Sequence, residues 1–313
     1  MPAGGQLSQP RLDGQSPRQG GLPMGFLKAL RPHQWLKNVL VFLAPAAAGT
    51  LLHGTTLLKA LVAFVAFSLC ASGTYLLNDM HDVASDRLHP RKRFRPIASG
   101  QLPIPVAVVA AVILLVGGIA LGTFAARWEL GVVLGAYVAL TLSYTFALKE
   151  IPVIELVCVA AGFVLRALGG GAATDTHLSV WFIVVISFGA LFLVTGKRLA
   201  ELPNPDGTGG EQRAVLAHYT RSFLQSTLVL TTTITITAYC LWTFEGSGLL
   251  ARAQGREVWI QLTVVPVVIA ALHILRLLDK GEGGAPDELA YKDRLLQVLG
   301  VIWIVLLAIG VYA

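Results

Sequence analysis

Residues Leu77 to Pro96 read LNDMHDVASDRLHPRKRFRP, between two charge-free apolar stretches, Ala60–Leu77 and Ile97–Ala126. These twenty positions hold three aspartates, two histidines and five arginines or lysines. Asn78, Asp82 and Asp86 recur every fourth position, which predicts one ridge along a helix, with Tyr75 on the same side and Asp79 beside it. Oxygen donors at this spacing suit a hard divalent cation. Mg2+ in particular takes one or two protein oxygens together with substrate phosphates and water. The basic run Arg87, Arg91, Lys92, Arg93 and Arg95 follows immediately and offers cations to the remaining phosphate oxygens. A solvated loop would account for the arginines. It accounts poorly for the aspartates, because ionisable groups at membrane depth are costly and usually functional.

The rest of the chain sets the surroundings of this stretch. Of 313 residues, 55% are hydrophobic and 13% charged, with a mean hydropathy of +0.68, against about 25% charged in soluble domains. Windows of about 18–20 uncharged residues match the length of a membrane-spanning helix. Nine spans are predicted, at 36–52, 57–80, 103–125, 128–147, 151–170, 179–201, 221–243, 257–279 and 294–312. The fold class that follows is all-α integral membrane, with nine transmembrane helices around a central cavity open to the cytoplasmic side. Residues 1–25, rich in Gly, Pro, Gln and Ser, are expected to form a disordered cytoplasmic tail, and 26–313 the nine-helix domain.

Placing the N-terminus in the cytoplasm puts nineteen of the 24 Lys and Arg residues on that side or at its span ends, in accord with the positive-inside bias. The expected location is therefore the plasma (inner) membrane, with the dense polar clusters and the active site facing the cytoplasm. The net charge of +6 follows these loops and does not indicate nucleic acid. Cys70, Cys158 and Cys240 lie far apart in apolar windows and read as small buried hydrophobes.

The string NDMHDVASDRLHPRKRFRPIASG, Asn78–Gly100, resembles the first aspartate-rich motif, NDxxDxxxD, of the UbiA superfamily of intramembrane prenyltransferases. That superfamily's second motif, DxxxD, is missing after the sixth span, where the chain reads GKRLAELPNPDGTGGEQR. RPHQWLKN (Arg31–Asn38), YTFALKEIPVIE (Tyr144–Glu155) and GKRLAEL (Gly196–Leu202) instead resemble the branch that carries decaprenyl-phosphate phosphoribosyltransferases. The resemblance implies transfer of 5-phosphoribosyl from phosphoribosyl pyrophosphate (PRPP) to a polyprenyl phosphate, with Mg2+ as cofactor, for cell-wall arabinan precursor synthesis.

The same resemblance implies the site. Asn78, Asp82 and Asp86 would hold the metal, with Asp82, Asp86 and Glu155 as the catalytic acids. Lys92 and Lys37 would meet the diphosphate, beside Tyr75. Lys149 and Arg166 would meet phosphate, Glu155 a ribose hydroxyl, and Lys197 is a further cation at the end of the sixth span. Glu155 and Arg166 are eleven residues apart and are expected to share one helix face pointing into the cavity. One alternative is a UbiA-type enzyme moving a prenyl chain from its diphosphate to an aromatic acceptor, which the missing DxxxD argues against. A transporter with an acidic cation site would need repeated, broken helices and would leave the basic run without a purpose.

Overall fold

The computed structural model describes residues 22–202, 214–244, 255–280, 289 and 292–312. The expected tail lies outside these residues up to position 21, and so does most of the loop after Leu202. All regular structure among the described residues is helical. α1 (Leu22–Ala29) leads into a 3₁₀ segment (Pro32–Phe42) and a short α2 (Leu43–Ala47). α3 (Gly54–His81) and α4 (Val83–Leu88) follow, then α5 (Ile104–Ala125) and α6 (Trp128–Ser143), which closes with a π turn at Tyr144–Leu148. α7 (Ile154–Thr174), α8 (Val180–Glu201) and α9 (Arg221–Phe244) come next. α10 (Glu257–Leu262), α11 (Val264–Asp279) and α12 (Arg294–Tyr312) complete the chain.

Eight helices among the described residues, counting α6 with its π turn and α10 with α11, are long and apolar enough to cross a membrane. α3 and α7 form the interior, with 61% and 50% of their apolar windows buried, whereas α5 and α12 bury 17% and 11%. Val109, Val112, Ile113 and Val116 of α5 and Val301, Ile304 and Val305 of α12 project outward. Apolar faces of that extent are those of an integral membrane protein and would be insoluble in water.

The first predicted span departs from a regular helix. From Pro32 to Phe42 the chain winds as 3₁₀, and only five residues of α-helix follow. At about 2.0 Å per 3₁₀ residue and 1.5 Å per α residue, the two together are about 30 Å long, the thickness of a hydrocarbon core. The winding has a visible cause in the neighbouring α3. Trp35 Nε1 donates to Ser72 Oγ at 3.0 Å and Asn38 Nδ2 to Ser68 Oγ at 2.9 Å. Three residues of 3₁₀ and four of α-helix both advance about 6 Å, so antiparallel rungs at i, i+3 and i, i+4 fall in register.

Small residues let the interior helices approach closely. A Cβ on Gly118 of α5 would lie 2.7 Å from Cys70 Sγ and 2.9 Å from the Ala66 carbonyl oxygen of α3. Gly170 of α7 sits directly against the Val41 carbonyl of the 3₁₀ segment, where a Cβ would overlap backbone. Gly170→Ala should therefore lower the melting temperature in detergent, with an overpacking cost of about 1–3 kcal/mol. Gly117→Ala, where a Cβ meets nothing within 4 Å, should not; equal melting temperatures for the two variants would remove this contact from the packing account.

Candidate active site

The C-terminal ends of α3, α6 and α8 and the N-terminal ends of α5, α7 and α9 share one end of the bundle, following from the alternating direction of the spans. A cavity of about 460 Å³ opens among them, lined by residues from α3, α4, α6, α7 and the loops between. α3 stops at His81 and α4 starts at Val83, yet the helical bonding continues across Asp82. Asp82 N–H donates to the Asn78 carbonyl at 2.9 Å, and Asp86 N–H to the Asp82 carbonyl at 2.8 Å. The ridge expected from the spacing is present: Asn78, Asp82 and Asp86 all line the cavity, and Asn78 Nδ2 donates to Asp82 Oδ2 at 3.2 Å.

The acids differ in their partners. Asp79 is buried and does not line the cavity; its carboxylate accepts from Arg31 at 2.5 Å and from Arg95 at 3.2 Å. Arg95 also grips buried Asp86 at 2.7 Å, so one guanidinium spans two acids. Arg31 is carried into place by a left-handed backbone, φ 53°, at the joint between α1 and the 3₁₀ segment, and lies 4.9 Å over the Tyr75 ring. Asp82 is half-buried and bonded to Lys149 Nζ at 2.8 Å and to His81 Nδ1 at 3.0 Å. Burial pushes the Asp82 carboxyl up, but the bonds and charges of Lys149 and His81 outweigh it and hold the carboxyl below its ordinary value. It is therefore ionised at neutral pH, and protonates only as the pH falls below the usual carboxylate range.

Arg166 forms the far end of the cavity, twelve residues into α7, or about 18 Å along its axis. Its Nε donates to Asn38 Oδ1 at 2.8 Å, Nη1 to the Gly162 carbonyl at 2.6 Å and Nη2 to the Tyr137 hydroxyl at 2.9 Å. The guanidinium lies 4.8 Å over the Tyr137 ring and 5.8 Å over that of Phe163. These partners are neutral, so the buried charge is held by dipoles and π faces and projects an uncancelled positive potential into the cavity.

Of the other residues singled out from the sequence, Lys37, Tyr75, Lys92 and Lys149 line this cavity. Glu155 and Lys197 are not among its lining residues. Glu155 does lie on the α7 stripe that carries Cys158, Val159, Gly162, Phe163 and Arg166, but in the first turn. There Arg198 of α8 clamps it through two bonds of 2.8 Å, and it is fully buried. Both Glu155 oxygens accept from this guanidinium, and Oε1 also lies 3.4 Å from the Tyr219 hydroxyl. Arg198 also holds Glu201 at 2.6 Å and is a buried cation at the end of α8. Arg31, Arg95 and Tyr137 line the cavity as well. Arg31 stood in a quoted motif and Arg95 in the basic run, but no spacing distinguishes them there.

Six cations (Arg31, Lys37, Lys92, Arg95, Lys149, Arg166) and three carboxylates (Asp82, Asp86, Glu150) line the cavity, so it favours anions. Among the described residues no group of three His, Cys, Asp or Glu side chains is set to cage a metal. Two carboxylates and an amide on one wall fit instead the mode in which Mg2+ takes few protein oxygens and completes its shell with substrate phosphates.

The family model for the UbiA prenyltransferase family matches residues 39–298. The decaprenyl-phosphate phosphoribosyltransferase of Corynebacterium glutamicum is 43% identical over 291 residues, 92% of this chain and 87% of that protein. The enzyme of the same name from Mycolicibacterium smegmatis is 40% identical over 93% of both chains. A UbiA homolog from Archaeoglobus fulgidus, solved with DMAPP and Mg2+, superposes with a TM-score of 0.69 at 16% identity, covering 91% of this chain and 97% of that one.

The paired acids make a stability prediction. Arg95→Met leaves Asp79 its Arg31 but strands buried Asp86 without a cation, and breaking a buried pair from one side costs about 3–5 kcal/mol, so the melting temperature should fall by many degrees. Lys92→Met should stay within about 0.5 kcal/mol. A stable Arg95→Met protein in a thermal-shift assay would contradict the pairing.

Proposed function

The chain belongs to the UbiA prenyltransferase family, and from that premise and the charges of the cavity we propose that it is a decaprenyl-phosphate phosphoribosyltransferase. In this reading it moves 5-phosphoribosyl from PRPP to a polyprenyl phosphate, releases pyrophosphate, and so makes a lipid-linked precursor of cell-wall arabinan. The observation that carries the proposal is the excess of cations in the cavity, with Arg166 held by neutral partners. Two curated relatives of this name at 40% and 43% identity over most of the chain support it.

The chemistry asks little acid–base work of the protein. An oxygen of the acceptor phosphate, already anionic near neutral pH, attacks the anomeric carbon of the ribose, and the bond to pyrophosphate breaks with its electron pair on the leaving oxygen. Asn78, Asp82 and Asp86 would hold Mg2+, which when bound neutralises charge on the departing diphosphate. Lys92 and Lys37 receive diphosphate oxygens, and Lys149, drawn to Asp82 across the mouth, can turn to the 5-phosphate. Arg166 and the Tyr137 hydroxyl present donors at the far end. The aliphatic and aromatic α7 residues between, Val159 and Phe163, exclude water from the reacting carbon.

Residues 26–313 act as one transferase domain in this proposal, with nine membrane crossings, the 3₁₀ segment with α2 being the first. The N-terminus and the cavity mouth face the cytoplasm across the plasma membrane, which gives a soluble donor access. Arg91→Cys should thus be protected from an impermeant thiol reagent in intact cells and Thr55→Cys labelled, once the native cysteines are shown not to react. The opposite pattern would overturn this orientation.

Purified protein given radiolabelled PRPP, polyprenyl phosphate and Mg2+ should yield extractable labelled lipid. Lys149→Ala and Arg166→Ala should each raise KM for PRPP by about ten- to a hundredfold, as expected for loss of a charge-assisted phosphate contact. KM for the lipid should change much less. Labelled product from a prenyl diphosphate and an aromatic acid, with none from PRPP, would replace this reading with the aromatic prenyltransferase one.

A further inference from the structure

Between the π turn that ends α6 and the start of α7, the chain must carry Lys149 and Glu150 to the mouth of the cavity and reverse direction within a few residues. It does so through Val153, whose φ is 67° and ψ −48°. Ile154 N–H donates to the Pro152 carbonyl at 2.8 Å, which closes a γ-turn of the positive-φ form, rare and strained even before a β-branched side chain is placed in it. Such a conformation persists only where its surroundings impose it.

The imposing group comes from a different part of the chain. Val153 N–H donates to the Tyr219 hydroxyl at 2.8 Å, and the same hydroxyl reaches Glu155 Oε1 at 3.4 Å. Glu155 is in turn fixed by two bonds of 2.8 Å from Arg198, which Glu201 backs at 2.6 Å. Burial pushes the Tyr219 phenol up, against the pull of the Val153 N–H, so the hydroxyl stays protonated and can accept from Val153 while donating to Glu155. Tyr219 follows directly on the 3₁₀ turn Ala214–His218, whose Ala214 and Val215 line the cavity. One hydroxyl therefore joins two walls of the mouth.

We propose that Tyr219 is a positioning residue, which with the buried Glu155–Arg198 pair holds the strained turn at Val153 and so sets Lys149 at the height where it meets substrate phosphate. The kinetic part of this inference rests on the functional reading above; the structural part does not. The division of labour explains why Glu155, on an α7 stripe that points toward the cavity, is spent on Arg198 of α8.

Tyr219→Phe keeps the ring and removes only the hydroxyl. KM for PRPP should rise about tenfold while kcat stays within about twofold and KM for the lipid phosphate is unchanged. Adding Val153→Gly should restore KM, because glycine takes positive φ without the hydroxyl to enforce it. Hydrogen–deuterium exchange, which needs no turnover, should show the peptide spanning 149–156 exchanging faster in Tyr219→Phe and slowed again in the double variant. If the wild type makes no product from PRPP, the functional reading fails and the exchange measurement alone decides this one. Unchanged exchange at 149–156 overturns it, as does an equal rise in KM for both substrates or a failure of Val153→Gly to rescue.

Discussion

A charge taken out of water inside a membrane protein must meet an opposite charge or an equivalent set of dipoles, because its desolvation costs several kcal/mol even after relaxation. The cavity end of this bundle is arranged around that requirement. Asp79, Asp86 and Glu155 are each at most 3% exposed, and each is answered by an arginine from elsewhere in the chain: Arg31, Arg95 and Arg198. Arginine suits the task because its planar fork serves two acceptors at once, as Arg95 does for Asp79 and Asp86 and Arg198 for Glu155 and Glu201. Each pair is also a tie. Arg31 fastens the entry of the 3₁₀ segment to α3, Arg95 fastens the loop after α4 to α3, and Arg198 fastens α8 to α7. The penalty that threatens these side chains makes the rim rigid.

Arg166 obeys the same constraint differently. With an amide oxygen, a backbone carbonyl, a hydroxyl and two aromatic faces in place of a carboxylate, it is solvated without being neutralised. A carboxylate there would cancel the field. Dipoles leave it available to an anion, which is why this residue and not the ion-paired Arg198 carries the functional reading, although both arginines are buried. The archaeal neighbours at 16–18% identity share the fold; the nature of the cargo has to be argued from charges such as this one.

Much of this was legible in the sequence. The ridge Asn78, Asp82, Asp86 followed from a period of four, and it holds even though the helix is interrupted at Asp82, because the backbone bonds bridge the interruption. The regular spans followed from hydropathy, and the motifs from Arg31 to Glu155 pointed to the family. What the sequence hid depends on distant neighbours. The 3₁₀ winding matches the spacing of Trp35 and Asn38 to that of Ser72 and Ser68 on α3, a pairing that Pro32–Phe42 does not reveal by itself. The stripe of α7 that carries Glu155 and Arg166 is readable from spacing, but not that Arg198 and Tyr219 reach Glu155 from other elements. That Arg198 reaches Glu155 depends on the packing of α8 on α7, which the adjacent basic pair does not reveal. A tyrosine that holds a turn sixty-six residues away has no local signature at all.

The remaining question is how two polyanions are brought together. Two unit charges about 7 Å apart repel by about 2 kcal/mol at an effective dielectric of about 20, and a donor with a 5-phosphate and a diphosphate facing a lipid phosphate involves several such pairs. Proximity accelerates the reaction only if this repulsion is removed before the reacting atoms meet. Acids alone cannot do it, and cations alone would bind the products as tightly as the substrates. The cavity mixes the two: carboxylates along one wall, which in the proposed function would hold a metal against the leaving group, cations at the mouth, and one dipole-held guanidinium about 18 Å along α7. Spreading the positive charge over that depth lets donor and acceptor phosphates each find a cation while the anomeric carbon lies between them. The strain accepted at Val153 is then intelligible, because a lysine at the mouth is useful only at a fixed distance from the charge at the far end.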